Sequence, residues 1–123
     1  MMLVLRSPSP VSYDLCDQTV TVYHTDGKTY TRKIIRGAYL DYRKTQNVTK
    51  TGNTESNGFL LVIPGDTVPV SVGDKVMMGE GPEVTTREQW AALIPSRVPG
   101  LAVVQYVDPK YWHGQIVHTE AGG

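Results

Sequence analysis

Thr19-Val20-Thr21-Val22-Tyr23-His24-Thr25-Asp26-Gly27-Lys28 is the stretch that decides the fold class. Residues 19–23 alternate with period two, which places successive side chains on opposite faces of a strand. Asp26-Gly27 is a hairpin dipeptide, because both residues accept the positive φ that a tight turn with matching twist requires. A second strand is therefore expected from Lys28 to about Tyr42. Its alternation breaks at one place: Ile34 and Ile35 are adjacent, and the apolar parity changes around Arg36-Gly37. A β-bulge at that glycine accounts for the change.

Composition extends this reading to the whole chain. The 123 residues include 16 Val, 5 Ile and 13 Thr against 8 Leu and 5 Ala. Branched side chains pack well on a pleated surface and lose rotamer freedom in helices, so the class is mainly β. The 12 Gly and 8 Pro are scattered as punctuation, which predicts short elements joined by turns. Length favours a single domain, here residues 19–120, preceded by an irregular arm over 1–18 whose Ser7-Pro8-Ser9-Pro10 blocks ladder hydrogen bonds. Met1–Arg6 lacks the length and the basic start of a secretion signal, and no apolar run approaches a membrane span.

Outward from the first hairpin, Arg43–Asn57 holds one apolar side chain in fifteen residues. It buries too little to offset its ordering entropy and reads as a long polar loop. Gly58-Phe59-Leu60-Leu61-Val62-Ile63 is apolar at successive positions, as for a strand with one face in the core and the other against a partner. Phe59, Leu61 and Ile63 are the candidate subunit-interface residues of this strand. Val72-Gly73-Asp74-Lys75-Val76 reads as a turn feeding a strand. One short helix is expected over about 86–94, with Thr85 or Thr86 as N-cap, Glu88 or Gln89 as reciprocal cap, and Pro95 as the stop. Leu101–Val107 and Gln115–Thr119 are the last strands, joined through Asp108–Trp112. About six strands and one helix are best closed as a small antiparallel β-barrel.

Twelve basic and twelve acidic residues cancel, but unevenly. Lys28, Arg32, Lys33, Arg36, Arg43, Lys44 and Lys50 are opposed over residues 28–50 only by Asp41, an excess of six positive charges that the rest of the chain balances. Three readings stay open: a solvated strand and loop, a basic tip touching a nucleic-acid backbone, or basic and acidic faces of identical subunits meeting head-to-tail. In the last reading Arg32, Lys33 and Arg36 join the candidate interface.

Catalytic patterns are missing. The sequence holds no glycine-rich phosphate loop, zinc-ligand spacing or nucleophile elbow. His113 and His118 fall on opposite strand faces and His24 stands beside a turn, so no metal is expected. Cys16 excludes an intramolecular disulfide, and flanking Asp14 and Asp17 raise a thiol pKa. The chain reads as a non-enzyme without cofactor. Tyr23, Tyr39, Tyr42, Tyr106, Tyr111 and Trp112 read as packing residues before they read as base-stacking ones.

The element order, together with Arg36-Gly37-Ala38-Tyr39-Leu40, Gly79-Glu80-Gly81-Pro82-Glu83 and Asp108-Pro109-Lys110-Tyr111-Trp112-His113-Gly114, resembles the small β-barrel neck proteins of tailed bacteriophages and prophages, the head-closure or stopper group also described as minor capsid or head–tail joining proteins. The resemblance implies a structural virion protein of the neck, assembled in the host bacterial cytoplasm. It implies a six-fold homo-oligomeric ring between a portal or adaptor ring and a tail terminator or tail tube, without contact to membrane. It further implies that Arg43–Asn57 projects into the channel, where Arg43, Lys44 and Lys50 meet packaged double-stranded DNA without sequence preference. A free-standing nucleic-acid-binding barrel of the OB or SH3-like kind, and a tail-terminator or tail-completion protein, are the alternatives.

Overall fold

The computed structural model describes residues 12–49 and 52–123, with the backbone alone for 44–49 and 52–57. The elements are β1 (Gln18–Thr25), β2 (Tyr30–Thr49), β3 (Gly52–Pro64), β4 (Lys75–Met78), α1 (Arg87–Ala92), β5 (Ala102–Val103), β6 (Tyr106–Trp112) and β7 (Gln115–Gly122). The strands form one antiparallel sheet in the order β5-β4-β1-β2-β3-β7-β6. The chain is mainly β with one short helix, as its composition predicts.

Local chemistry explains the first hairpin. The Asp26 carboxylate accepts the backbone N–H groups of Lys28 (2.8 Å) and Thr29 (2.7 Å), and Gly27 takes a φ of +97°. Those N–H groups hold the Asp26 pKa below the usual carboxylate range. In the β1–β2 ladder Gln18 pairs with Ala38 but Thr19 pairs with Arg36, so Gly37 is the extra residue. Its φ of +82° identifies the expected bulge. Before it Ile35 leans on the core; after it the even positions Ala38, Leu40 and Tyr42 do. The bulge flips the parity and bends β2, which then serves both halves of the sheet.

One half comprises β5, β4, β1 and the start of β2; the other comprises the rest of β2 with β3, β7 and β6. Their facing sides enclose the main core of Val20, Val22, Leu40, Phe59, Leu61, Ile63, Val76 and Val104, among others. A second core lies on the far side of the first half, where Tyr23, Val84, Leu93 and Leu101 pack with Trp90 and Met77. Strand β1 is thus buried on both faces from Val20 to Tyr23. Helix α1 starts at the Thr86 N-cap, whose hydroxyl accepts the Gln89 N–H (3.1 Å) while Gln89 reaches back to the cap, the expected capping box. Leu93 is its C-cap and is buried, whereas Ile94 beyond it is exposed.

The hydrogen-bonded order has two free ends, so the sheet is not a closed barrel. The end strands β5 and β6 are nevertheless consecutive, joined by Val104 and Gln105. The Val104 N–H reaches Asp74 on one side (2.8 Å) and the Gln105 N–H reaches Gly122 on the other (2.8 Å). A Cβ on Gly122 would stand 2.7 Å from the Phe59 carbonyl oxygen, which leaves room there for glycine alone.

Two connections differ from expectation. Asp108–Trp112 is part of strand β6, and the turn is His113-Gly114, with φ of +53° and +76°. Pro109 is tolerated because β6 is an edge strand. Residues 43–57 are not a loop over most of their length. Lys44–Thr49 and Gly52–Asn57 continue β2 and β3 as paired strands, from Lys44 opposite Asn57 to Thr49 opposite Gly52. Anchored pairs such as Leu40 with Leu61 fix the register, and each further ladder bond then forms without needing an apolar face. Of the irregular arm, residues 1–11 lie outside the described residues, and 12–17 form a turn closed by the Cys16 N–H on the Tyr13 carbonyl (2.9 Å).

Gly37→Ala, which forces a side chain into left-handed backbone, is expected to cost about 1–2 kcal/mol in urea unfolding. Lys75 offers a second test. It is 8 % exposed, donates to the Trp90 carbonyl (2.7 Å) and lies 4.5 Å from the centre of that indole ring. Burial pushes its ammonium below the lysine value of 10.5. The unfolded chain then holds the proton more readily than the folded one, so this site's contribution to stability rises with pH up to the ordinary lysine range. The stability of wild type relative to Lys75→Met should increase from pH 7 towards 10.5, measured by denaturant midpoints at each pH.

Candidate functional site

The basic residues of β2 divide into two groups. Arg32 and Arg36 pair across the ladder with Tyr23 and Thr19, on the side that faces the Gly79–Glu83 loop. The Thr21 hydroxyl donates to the Gly79 carbonyl (2.6 Å) and accepts the Gly81 N–H (2.9 Å). The Tyr23 hydroxyl donates to the Pro82 carbonyl (2.7 Å), and a Cβ on Gly81 would collide with that hydroxyl. Arg32 donates to the Gly81 carbonyl (2.6 Å) and lies 3.4 Å from the Glu83 carboxylate; Arg36 lies 3.9 Å from Glu80. Lys33 reaches the Pro69 carbonyl at 3.5 Å. Of these three residues, expected at a subunit interface, Arg32 and Arg36 meet the protein's own Gly79–Glu83 loop and Lys33 the Pro69 carbonyl, and the two glutamates offset two of the excess positive charges.

Phe59, Leu61 and Ile63 depart from the interface assignment. They are 2 %, 0 % and 5 % exposed and belong to the main core. The alternate positions Leu60 and Val62 are the half-buried, outward ones. The apolar run itself does not reveal which parity faces inward; the β2–β3 register does.

The second basic group lies on the ribbon. Strand β1 leaves β2 at Ala38, and the Gln18 side-chain oxygen accepts the next free N–H, that of Leu40 (2.8 Å). On the other side β7 leaves β3 at Leu60. From Arg43 opposite Gly58 to Thr49 opposite Gly52, seven register pairs stand as a two-stranded ribbon with no third strand among the described residues. At about 3.3 Å per residue it reaches roughly 20 Å beyond the sheet. Its base is fixed by Tyr42, whose hydroxyl donates to the Gly100 carbonyl (2.5 Å) and accepts the Met78 N–H (3.2 Å). Burial raises the Tyr42 pKa, with the Met78 hydrogen bond opposing. Arg43 is exposed at the base and Lys44 follows it; Lys50 lies outside the described residues.

Other polar clusters are internal. The Asp74 carboxylate, almost fully buried, bonds His24 Nδ1 (2.5 Å) and accepts the Ser71 N–H (2.8 Å). His118 is not a surface histidine: Tyr13 covers it, with its hydroxyl 2.7 Å from Nδ1, while Nε2 lies 2.9 Å from Glu120. A carboxylate only accepts, so Nε2 carries a proton toward Glu120. Tyr13 and His118 are 105 residues apart, and no local sequence signal links them. His113 occupies the β6–β7 turn. No group of three His, Cys, Asp or Glu side chains among the described residues is arranged to hold a metal ion. Burial, and then Asp17, raises the Cys16 pKa.

The aromatic residues do not gather at the ribbon. Tyr23 is in a core and Tyr42 braces the ribbon base, while Tyr111 is 63 % exposed beside the β6–β7 turn. That turn lies beyond the Pro64–His118 pair, at the end of the sheet away from the ribbon.

Arg32→Ala, which leaves the Gly81 carbonyl unpaired, is expected to cost about 1–2 kcal/mol. Arg36→Ala removes only an exposed ion pair and should cost less than about 0.5 kcal/mol. Urea midpoints of the two variants check the difference.

A family model described as "Family of unknown function (DUF6751)" matches residues 15–123. No curated protein and no solved structure matches the chain.

Proposed function

We propose that this chain, which belongs to the DUF6751 family, is a structural component of a phage head–tail connector: a small β body that assembles into a homo-oligomeric ring and extends a basic ribbon towards the DNA channel. The observation that carries this reading is the ribbon of seven register pairs with no third strand among the described residues, with Arg43 exposed at its base and Lys44 next in sequence. The resemblance of its sequence to neck proteins points to the same reading. In the ring, a few positive charges per subunit face one axis and sum to a strongly positive constriction. Phosphate contact there carries no sequence information, as packaged DNA of any sequence requires. The ring interface draws on the outward residues Leu60 and Val62, since Phe59, Leu61 and Ile63 are consumed by the core. A portal or adaptor ring and a tail terminator or tube are its neighbours on this reading, and the role is non-enzymatic.

The test is to replace residues 44–57 with a two-residue Asn-Gly turn. The body should fold with its melting temperature nearly unchanged, because every core residue remains and shortening a connection costs little. Particles assembled with the variant should lose packaged DNA or fail to join tails. Full, tailed, infectious particles would overturn the assignment. Light scattering on the purified protein separates the free-standing alternative: a monomer that binds DNA tightly, with affinity falling steeply as salt rises, favours a nucleic-acid-binding barrel over a connector.

A further inference from the structure

The segment 79–100, which runs from β4 to β5, is held to the sheet by its backbone. Five sheet side chains grip it through hydrogen bonds: Thr21 at Gly79 and Gly81, Tyr23 at Pro82, Arg32 at Gly81, Lys75 at Trp90 and Tyr42 at Gly100. Its own backbone bonds close within it, as from Trp90 to Thr86, Leu93 to Trp90 and Val98 to Ile94. Of its residues only Gly81, Val84 and Leu93 are buried, and α1 buries none. Both ends are glycines in left-handed backbone, Gly79 at φ +82° and Gly100 at φ +79°, and glycine absorbs the dihedral change of a hinge at little steric cost. Outside those ends β4 and β5 pair directly, Lys75 with Val103 and Val76 with Ala102, so lifting the segment breaks no ladder bond between them.

Beneath the segment lies a poorly matched group. Among the described residues the Lys75 ammonium, with three N–H groups to donate, meets one acceptor, the Trp90 carbonyl, and the face of the Trp90 ring. Its surroundings supply no countercharge. Tyr23 of β1 and Val103 of β5 flank it in the ladder, and the Tyr23 hydroxyl is neutral and engaged at Pro82. Arg32, across the next ladder step on β2, adds positive charge. The neighbouring Asp74 carboxylate is turned to His24 and the Ser71 N–H.

We propose that residues 79–100 are a hinged cover that opens as one unit on Gly79 and Gly100 while the main core stays closed, and that the buried Lys75 ammonium biases it towards opening. The main core lies on the opposite face of β1, through Val20 and Val22, and is complete without the cover. Closed, the cover shields Thr21, Tyr23 and Lys75. Open, it presents them together on one face of β1 and β4, a hydroxyl and ammonium surface that exists in no other state. Water reaches the ammonium only in the open state, so loss of the Lys75 proton favours closure. The lowered Lys75 pKa has that sign. The device does not depend on the connector reading.

Native-state hydrogen exchange on the full-length protein, in urea below the unfolding midpoint, tests the cover. The amides of Gly81, Trp90, Leu93 and Val98 should share one opening, with a urea dependence shallower than that of global unfolding. Their protection should lie at least about tenfold below that of the β1 ladder amides. From pH 7 to about 9.5, protection in the cover should rise severalfold in the wild type and stay flat in Lys75→Met. Arg32→Ala, which keeps Lys75 and removes one grip, should lower cover protection about tenfold. A single isotherm shared by cover and β1 amides, or unrelated openings for the four cover amides, would overturn the hinged unit. An equal pH response in the wild type and Lys75→Met would overturn Lys75 as the biasing group.

Discussion

One extra residue in one strand organises this protein. Without Gly37, the alternation that sets Ile35 against the core would carry Leu40 and Tyr42 to the outside and Asp41 and Arg43 to the inside. The bulge reverses the parity in one step and bends β2, so a single twenty-residue strand lines both halves of the sheet. The position of the ribbon follows. Tyr42 points inward and braces Gly100 and Met78, while Arg43 emerges exposed where the two-stranded section begins.

A second consequence is a division of labour among the positive charges. Burying β1 on both faces requires something to cover Thr21 and Tyr23, and the Gly79–Glu83 loop does so through their hydroxyls. The loop brings Glu80 and Glu83 against Arg36 and Arg32. Charge that looks contiguous along residues 28–50 is thereby split into a structural set and a projecting set. Of the two sets, Arg32 is the residue tied most closely to the fold, through the Gly81 carbonyl, while Arg43 stands exposed at the ribbon base.

Sequence signals were reliable where a few neighbouring residues decide the geometry. Asp26-Gly27, the parity change at Gly37 and the Thr86–Gln89 box each specify backbone through contacts within a turn or one ladder step. They failed where the decision lies elsewhere in the chain. The polar stretch 43–57 looked unable to order itself, yet its strands inherit their register from Leu40 and Leu61 at the base. The run Phe59–Ile63 hid which parity is inward, a choice fixed by its partner strands. Nothing around Ser12–Asp17 announces that Tyr13 will cover a histidine on β7. The candidate site was legible as charge and reach, but not as a ribbon.

Strand β7 follows the other six in chain order, yet it lies between β3 and β6. During biosynthesis one edge of β3 must therefore wait for a segment translated some fifty residues later (Pro64 pairs with His118) before that half of the sheet has a middle. Such non-local pairing makes folding slow and leaves an unpaired edge open to wrong partners in the meantime. For a protein read as an assembly component, that delay separates synthesis from competence: the half of the sheet that roots the ribbon cannot be completed until β7 has been made.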